Sequence, residues 1–284
     1  MKWAGLIGYP VAHSLSPRLQ QAAFDAHKID ARYELWETAA SALPERIQSL
    51  RASDMLGANI TIPHKTAVLP WLDECDPQAA RIGAVNTIVN RNGRLCGYNT
   101  DAPGFLRALR EKTAASFALR GSRVVLLGSG GAARAAAVAL LDSQVSNLVL
   151  LGRTEPHLAA LLMDLQPQAG DCVLQSSILG TVQAEQSLQA VDVLINTTSV
   201  GLKVDDLTLL IKVEALAKST LVMDMIFNPP LTPLLQAASA HGCAVLNGLS
   251  MLLYQGTAAF ELWTGRDAPV EIMRVALGLT EKKE

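Results

Sequence analysis

The stretch Arg123-Val124-Val125-Leu126-Leu127-Gly128-Ser129-Gly130-Gly131-Ala132-Ala133 decides the fold. Its first five residues are a continuous β-prone run, the signature of a strand covered on both faces by helices in a parallel sheet. Gly128 to Ala133 then fits G-x-G-x-x-G/A. In that pattern the first glycine permits a tight turn and the second lets backbone approach a pyrophosphate. A small third residue lets the helix pack closely on the strand. The alanine-rich run that follows supplies a helix whose free N–H groups and positive dipole end suit phosphate. Alone, such a pattern can be no more than a turn. Here a second strand follows from Asn147 to Leu151. That completes a strand–loop–helix–strand unit and predicts dinucleotide binding by Gly128, Ser129, Gly130, Gly131, Ala132 and Ala133.

The end of the second strand reads Leu151-Gly152-Arg153-Thr154, with no acid before Glu155. An acid there would bond the ribose 2′-hydroxyl of NAD. Arg153 instead can pair a 2′-phosphate, and Thr154 can add a hydroxyl, so the expected cofactor is NADP. Further parallel-strand candidates are Val191 to Asn196, Thr220 to Met225 and Ala244 to Leu246.

Upstream the pattern differs. Trp3 to Ile7 reads as a strand closed by Gly8 and Pro10, and Ser16-Pro17 as an N-cap with a proline in the first turn. Ala58 to Ile62 and Ala84 to Asn90 read as short strands, and Asn92-Gly93 as a hairpin turn returning through Leu95 to Tyr98. The expected fold is therefore α/β in two parts. Residues 1–103 form a mixed-sheet α/β substrate domain, and residues 104–248 form a Rossmann-type doubly wound dinucleotide-binding domain. Helices over 249–284 pack back on the first part.

The first part carries polar residues that a scaffold does not need. Ser14 and Ser16 bracket a helix start, where hydroxyls and free N–H groups can hold a carboxylate. Asn59, Thr61 and Lys65 gather about the end of one strand, and alternation points 59 and 61 to the same face. Asn86 is embedded in an apolar strand, where its amide must find a partner. Asp101 opens a helix and, taken singly, is as well read as its N-cap. Together these fragments describe a site for a small, hydroxyl-rich carboxylic acid, with a lysine and an aspartate near a carbonyl that takes a hydride.

Composition narrows the alternatives. A chain of 284 residues makes roughly two domains at about 150 residues each. Half the residues are apolar and 18% charged, which excludes an extended disordered chain. The 24 basic and 26 acidic side chains nearly cancel, so neither a nucleic acid nor an anionic membrane has electrostatic support as a partner. Cys75, Cys96, Cys172 and Cys243 are scattered, as reduced thiols are and as disulfide or metal sites are not. No apolar stretch reaches the ~18 residues of a membrane span. Pro10 and His13 arrive before any small-residue cleavage site, unlike a signal peptide. A cytoplasmic protein is expected.

The chain resembles the shikimate dehydrogenase family. The resemblance rests on GYPVAHSLSP (8–17), ANITIPHK (58–65), GAVNTI (83–88), GYNTDAPGF (97–105), GSGGAARA (128–135), NTTSVG (196–201) and NGLSMLLYQGTAAFELWTG (247–265), in family order over nearly the whole chain. It implies NADPH-dependent, reversible reduction of 3-dehydroshikimate to shikimate in the pathway to the aromatic amino acids. It also implies a substrate domain and a cofactor domain with a cleft between them. On this resemblance Ser14, Ser16 and Thr61 are substrate-carboxylate ligands. Asn86, Lys65, Asp101 and Gln255 hold the ring hydroxyls and reacting carbonyl, with Lys65 and Asp101 the catalytic pair. Thr198, Val200 and Gly248 approach the nicotinamide half of the cofactor, with Arg153 and Thr154 at its 2′-phosphate. The chain departs from the family at Gln20, where a His is usual, and at Gly152 and His157, where Asn and a further Arg are common. Phe227 stands where a Tyr is usual.

Two other readings are carried. One is an NAD-using quinate/shikimate dehydrogenase of broader specificity. The other is a dinucleotide-binding regulator without catalysis, which the presence of both Lys65 and Asp101 in matching frames disfavours. A monomer or a homodimer is expected, with a small-molecule substrate and no metal.

Overall fold

The computed structural model describes residues 1–112, 118–203 and 205–279. It divides into two compact units, one made of Met1–Phe105 and Ser250–Glu284, the other of Leu106–Leu249.

The first unit begins with β1 (Lys2–Gly8), α1 (Ser16–Ala26), β2 (Ala31–Glu37), α2 (Leu43–Ser49) and β3 (Met55–Ile60). It continues through β4 (Glu74–Cys75), α3 (Pro77–Ile82), β5 (Thr87–Arg91) and β6 (Arg94–Tyr98) into α4 (Asp101–Lys112). The sheet order is β2-β1-β3-β5-β6-β4. β1 runs parallel to β2 and β3, while β5 is antiparallel to both β3 and β6, so the sheet is mixed. The hairpin turn holds Asn92 at φ 54 and Gly93 at φ 87, the pair of positive φ values that a two-residue turn between twisted strands requires. Ile7, Ile47, Leu50, Ile60, Ile88 and Leu95 close the core beneath one face.

Strand limits differ from the sequence expectation at several ends, two of them beside the site. β3 stops at Ile60, ahead of Pro63, which has no N–H to continue a ladder. β5 starts at Thr87 rather than Ala84, and upstream of it the Val85 N–H turns away to Lys65 O at 2.8 Å.

The second unit runs β7 (Arg123–Leu127), α5 (Gly131–Asp142), β8 (Asn147–Gly152), α6 (Glu155–Leu165) and β9 (Val173–Ile178). It continues α7 (Val182–Leu188), β10 (Val193–Asn196), β11 (Leu221–Asp224), α8 (Pro233–His241) and β12 (Ala244–Leu246). All six strands are parallel in the order β9-β8-β7-β10-β11-β12. Counted from β7 this is 3-2-1-4-5-6, the doubly wound dinucleotide-binding arrangement. Its central strands are buried apart from Arg123 at the start of β7, as a sheet covered on both faces must be. The strands that sequence patterning does not reveal are β2, β4 and β9, each at a sheet edge. Half-exposed and partly polar, they lack the apolar run that marks a central strand.

The chain then enters α9 (Leu249–Thr264) and α10 (Val270–Ala276), which complete the first unit from Ser250 onward. α9 lies against α1 through the Phe24 and Phe260 rings, 5.8 Å apart, and through Gln20 Nε2, which donates to Gly256 O at 2.9 Å. Trp263 Nε1 donates to Ile88 O at 2.9 Å, tying the end of α9 to the sheet.

Candidate active site

In the first unit Lys65 and Asp101 meet, Nζ to Oδ2 at 2.5 Å. Lys65 follows the short turn after β3, in which His64 N donates to Thr61 O. Asp101 is the first residue of α4. The N-cap reading of Asp101 gives way here: Asn99 Oδ1 takes the Ala102 N–H at 3.1 Å, so both Asp101 oxygens serve other groups. Oδ2 faces Lys65, and Oδ1 accepts from Asn86 Nδ2 at 2.9 Å. Asn86 Nδ2 also reaches Gln255 Oε1 on α9 at 3.4 Å. Four residues remote in sequence thus form one buried cluster of lysine, carboxylate and two amides.

A second set of hydroxyls lies in the same unit. Ser14 Oγ accepts from Ser16 N at 3.2 Å and meets Ser16 Oγ at 3.1 Å. Ser16 is therefore the first helical residue of α1 rather than its N-cap, and its hydroxyl is not used in capping. Thr61 is held by its own N–H, which donates to Ile7 O at 2.9 Å, while its hydroxyl makes no hydrogen bond among the described residues. The predicted substrate residues thus divide into two groups, the Lys65–Asp101–Asn86–Gln255 cluster and the hydroxyls of Ser14, Ser16 and Thr61.

Between the groups runs a chain of buried polar side chains, in which the sequence reading singles out Asn59 but assigns no role to Tyr33, Thr87 or Thr100. Tyr33 on β2 donates to Asn59 Oδ1 at 2.8 Å, and Asn59 Nδ2 donates to Thr87 Oγ1 at 3.1 Å. Thr87 Oγ1 pairs with Thr100 Oγ1 at 3.1 Å, and Thr100 N donates to Asn86 Oδ1 at 2.6 Å. Burial pushes the Tyr33 hydroxyl far above the ordinary phenol range, outweighing the lowering by Ser16, so it stays a donor. This chain fixes which side of the Asn86 amide faces Asp101. Apart from Asn59, its mark in the sequence is slight, because Tyr33 lies on the edge strand β2, where apolar packing explains an inward tyrosine equally well.

In the second unit the glycine loop leaves the carboxyl end of β7. Gly128 has φ +116, and a Cβ there would sit 2.5 Å from Thr197 Oγ1, so only glycine fits. A Cβ on Gly130 would meet nothing within 4 Å, so open space stands over the backbone that begins α5. No side chain caps that helix, and Ala133 is fully buried where it starts to pack. Gly131 and Ala132 complete its first turn, and Ser129 precedes Gly130 in the loop. At the end of β8, Arg153 is exposed and makes no hydrogen bond or ion pair among the described residues. The Thr154 hydroxyl does not cap α6 although Thr154 holds the N-cap position. An uncapped helix start, clear space over a glycine and a free guanidinium at the next strand end fit a dinucleotide carrying a 2′-phosphate.

Across the switch point between β7 and β10, the chain after Asn196 carries Thr198 and Val200. Thr198 N and Oγ1 donate to Asn196 Oδ1 at 3.0 and 2.7 Å, and Val200 N donates to Thr198 Oγ1 at 3.1 Å. Thr197 N and Oγ1 both donate to Leu127 O, at 2.9 and 2.6 Å, which binds this loop to the end of β7. Gly248 N donates to Ile226 O at 3.0 Å, just before α9.

Known proteins resemble this chain over nearly its whole length. Residues 6–88 match the model of the shikimate dehydrogenase substrate binding domain, and residues 248–277 that of the shikimate 5′-dehydrogenase C-terminal domain. The shikimate dehydrogenase (NADP(+)) of Moorella thermoacetica is 45% identical over 94% of this chain and 90% of its own length. The crystal structure of shikimate 5-dehydrogenase from Thermus thermophilus with NADP(H) and shikimate superposes with a TM-score of 0.85 at 36% identity, covering 98% of this chain and 99% of that one. Quinate dehydrogenase from Corynebacterium glutamicum in complex with NAD superposes with a TM-score of 0.87 at 30% identity, covering 98% and 99%. With its mixed sheet, its doubly wound sheet and full-length relatives at this level of identity, the chain belongs to the shikimate dehydrogenase family.

Proposed function

We infer that this chain is an oxidoreductase that interconverts 3-dehydroshikimate and shikimate with NADP as cofactor. The Lys65–Asp101 pair carries the reading, because a scaffold has no need of a lysine held against a carboxylate among buried amides. The serine pair Ser14 and Ser16, with Thr61, offers hydroxyls to the substrate carboxylate. Asn86 and Gln255 offer amides to the ring hydroxyls. NADPH, when bound, supplies a hydride to the carbonyl carbon.

The residues of the chain manage the charge that results. Negative charge grows on the carbonyl oxygen as the carbon is reduced, and Lys65 Nζ stabilises it and donates a proton. Asp101 holds the lysine in place through the contact of its Oδ2 with Lys65 Nζ. In the reverse direction Lys65 accepts the proton from the substrate hydroxyl. Gly128 to Ala133 bind the pyrophosphate with backbone N–H groups, and Arg153 with Thr154 reads the 2′-phosphate. Thr198, Val200 and Gly248 flank the nicotinamide half.

No described helix is long and apolar enough to cross a membrane. Cys96 and Cys243 are buried as thiols, which supports a reducing, cytoplasmic setting. The protein acts there as a monomer or homodimer.

The test is reduction of cofactor at 340 nm with shikimate or quinate, each with NADP⁺ or NAD⁺. Reduction confined to shikimate with NADP⁺ is expected. Comparable rates with quinate or NAD⁺ would make it a broader quinate/shikimate enzyme, and no reduction in any pairing would overturn the catalytic reading.

A further inference from the structure

Asp224 ends β11 with none of its surface exposed, and no cation among the described residues is bonded to it. Its carboxylate instead collects three neutral donors. Oδ1 accepts from Asn196 Nδ2 at 3.1 Å and from Ile226 N at 3.0 Å, and Oδ2 accepts from Thr232 Oγ1 at 2.7 Å. Burying a carboxylate without a cation is costly, and the nearby donors do not cancel that cost: burial pushes the Asp224 carboxyl above its ordinary value despite all three. A group kept at such expense in the core of a sheet calls for a reason beyond filling space.

The bonds lead outward to one place. Through Asn196, whose side-chain oxygen receives Thr198 N and Oγ1, Asp224 reaches Thr198 and then Val200 N. Asn196 Nδ2 also holds Val200 O at 3.3 Å. Through Ile226, whose carbonyl accepts Gly248 N, it reaches Gly248. Gly248 packs so closely that a Cβ there would fall 2.0 Å from Met225 O. The carboxyl ends of β10, β11 and β12 are thereby clamped into a single surface beside the switch point. In this sheet order a dinucleotide lies across that point, with its adenosine half over β7 and β8 and its other half over β10 and β11.

We propose that Asp224 is a positioning residue for the nicotinamide half of the cofactor, acting through Asn196 on the 198–200 loop and through Ile226 on Gly248. The proposal rests on the NADP-dependent reading above. It separates the two halves of the cofactor site: Asp224 governs one, and Arg153 with the glycine loop governs the other.

The experiment uses Asp224→Asn, which keeps the shape but sets an NH₂ against the Thr232 hydroxyl, a donor to the wild-type carboxylate. Dissociation constants for NADP⁺ and for adenosine 2′,5′-bisphosphate, which lacks the nicotinamide half, are measured by calorimetry alongside a thermal melt. NADP⁺ is expected to bind about tenfold more weakly, the effect of one buried donor left unpaired. The bisphosphate keeps its wild-type affinity, and KM for shikimate stays near the wild-type value. Asn196→Ala, which cuts the link while leaving the carboxylate, is expected to reproduce the same split and serves if the first variant does not fold. Equal weakening of NADP⁺ and the bisphosphate in both variants, or weakening of neither, overturns the proposal. A wild-type protein that binds neither ligand overturns the NADP reading as well, so the two failures are told apart.

Discussion

Lys65 Nζ stands 2.5 Å from Asp101 Oδ2, with 14% of the lysine side chain and 6% of the aspartate side chain exposed. An ion pair this deep gains little net stability, because desolvation of both charges offsets their attraction. Its position beside Asn86 and Gln255 gives it a chemical use instead. The lysine is held by a carboxylate, and part of its side chain still reaches solvent.

Lys65→Ala removes the proton donor. We expect kcat to fall by about 10²- to 10⁴-fold, the usual worth of positioned acid–base catalysis, with KM for NADP⁺ unchanged. Steady-state kinetics beside a circular-dichroism melt checks this. Near-normal turnover in a folded variant would remove the lysine from the mechanism.

Asp101→Asn should also lower kcat, and combining it with Lys65→Met should add little further loss. Groups that act as a unit are strongly non-additive. A double-mutant cycle on kcat measures the coupling, and simple multiplication of the two effects would show that the residues work independently.

Arg153 is a cation without a protein partner among the described residues, and a charge-assisted contact to a phosphate contributes about 1.5–3 kcal/mol. Arg153→Ala should therefore raise KM for NADP⁺ by roughly 10- to 100-fold and leave KM for NAD⁺ almost unaltered. An equal change for both cofactors would mean that Arg153 does not read the 2′-phosphate.

The Asp73 carboxyl is held below its ordinary value, chiefly by the hydrogen bond from Arg51 and next by the Leu95 N–H. The folded state thus binds this proton more weakly than the unfolded chain. The stabilisation is present above the ordinary carboxylate pKa and is lost as pH falls through the lowered one. Asp73→Asn should melt below the wild type at neutral pH, and the gap should close in acid. Melting curves from neutral pH down through the acid range decide it: a gap that is constant throughout would show that the carboxylate charge is not the source.

Much of this protein is legible in its amino-acid order. Val124 to Leu127, Gly128 to Ala133 and Arg153 read as strand, phosphate loop and cofactor selector because local steric and dipolar rules bind each of them within a few residues. Ala133, small where the helix meets the strand, belongs to the same local code. The serine pair, Lys65, Asn86 and Asp101 are visible as polar residues out of place. Their roles are legible only through the resemblance to a family.

The rest depends on contacts between distant parts of the chain. β2 and β9 are half-exposed edges, so burial leaves no apolar run to mark them. Asp101, locally an equal candidate for an N-cap, is released from that duty only because Asn99 takes the Ala102 N–H. Tyr33, Thr87 and Thr100 acquire their place by hydrogen bonds to residues brought near by strand pairing. Asp224 looks like an ordinary strand-end acid until Asn196, Ile226 and Thr232 close around it. Local order thus determined the α/β layering, the phosphate loop and the kind of chemistry. Tertiary structure decided which polar groups share one buried network, because a buried donor or acceptor must find its partner wherever in the chain that partner lies.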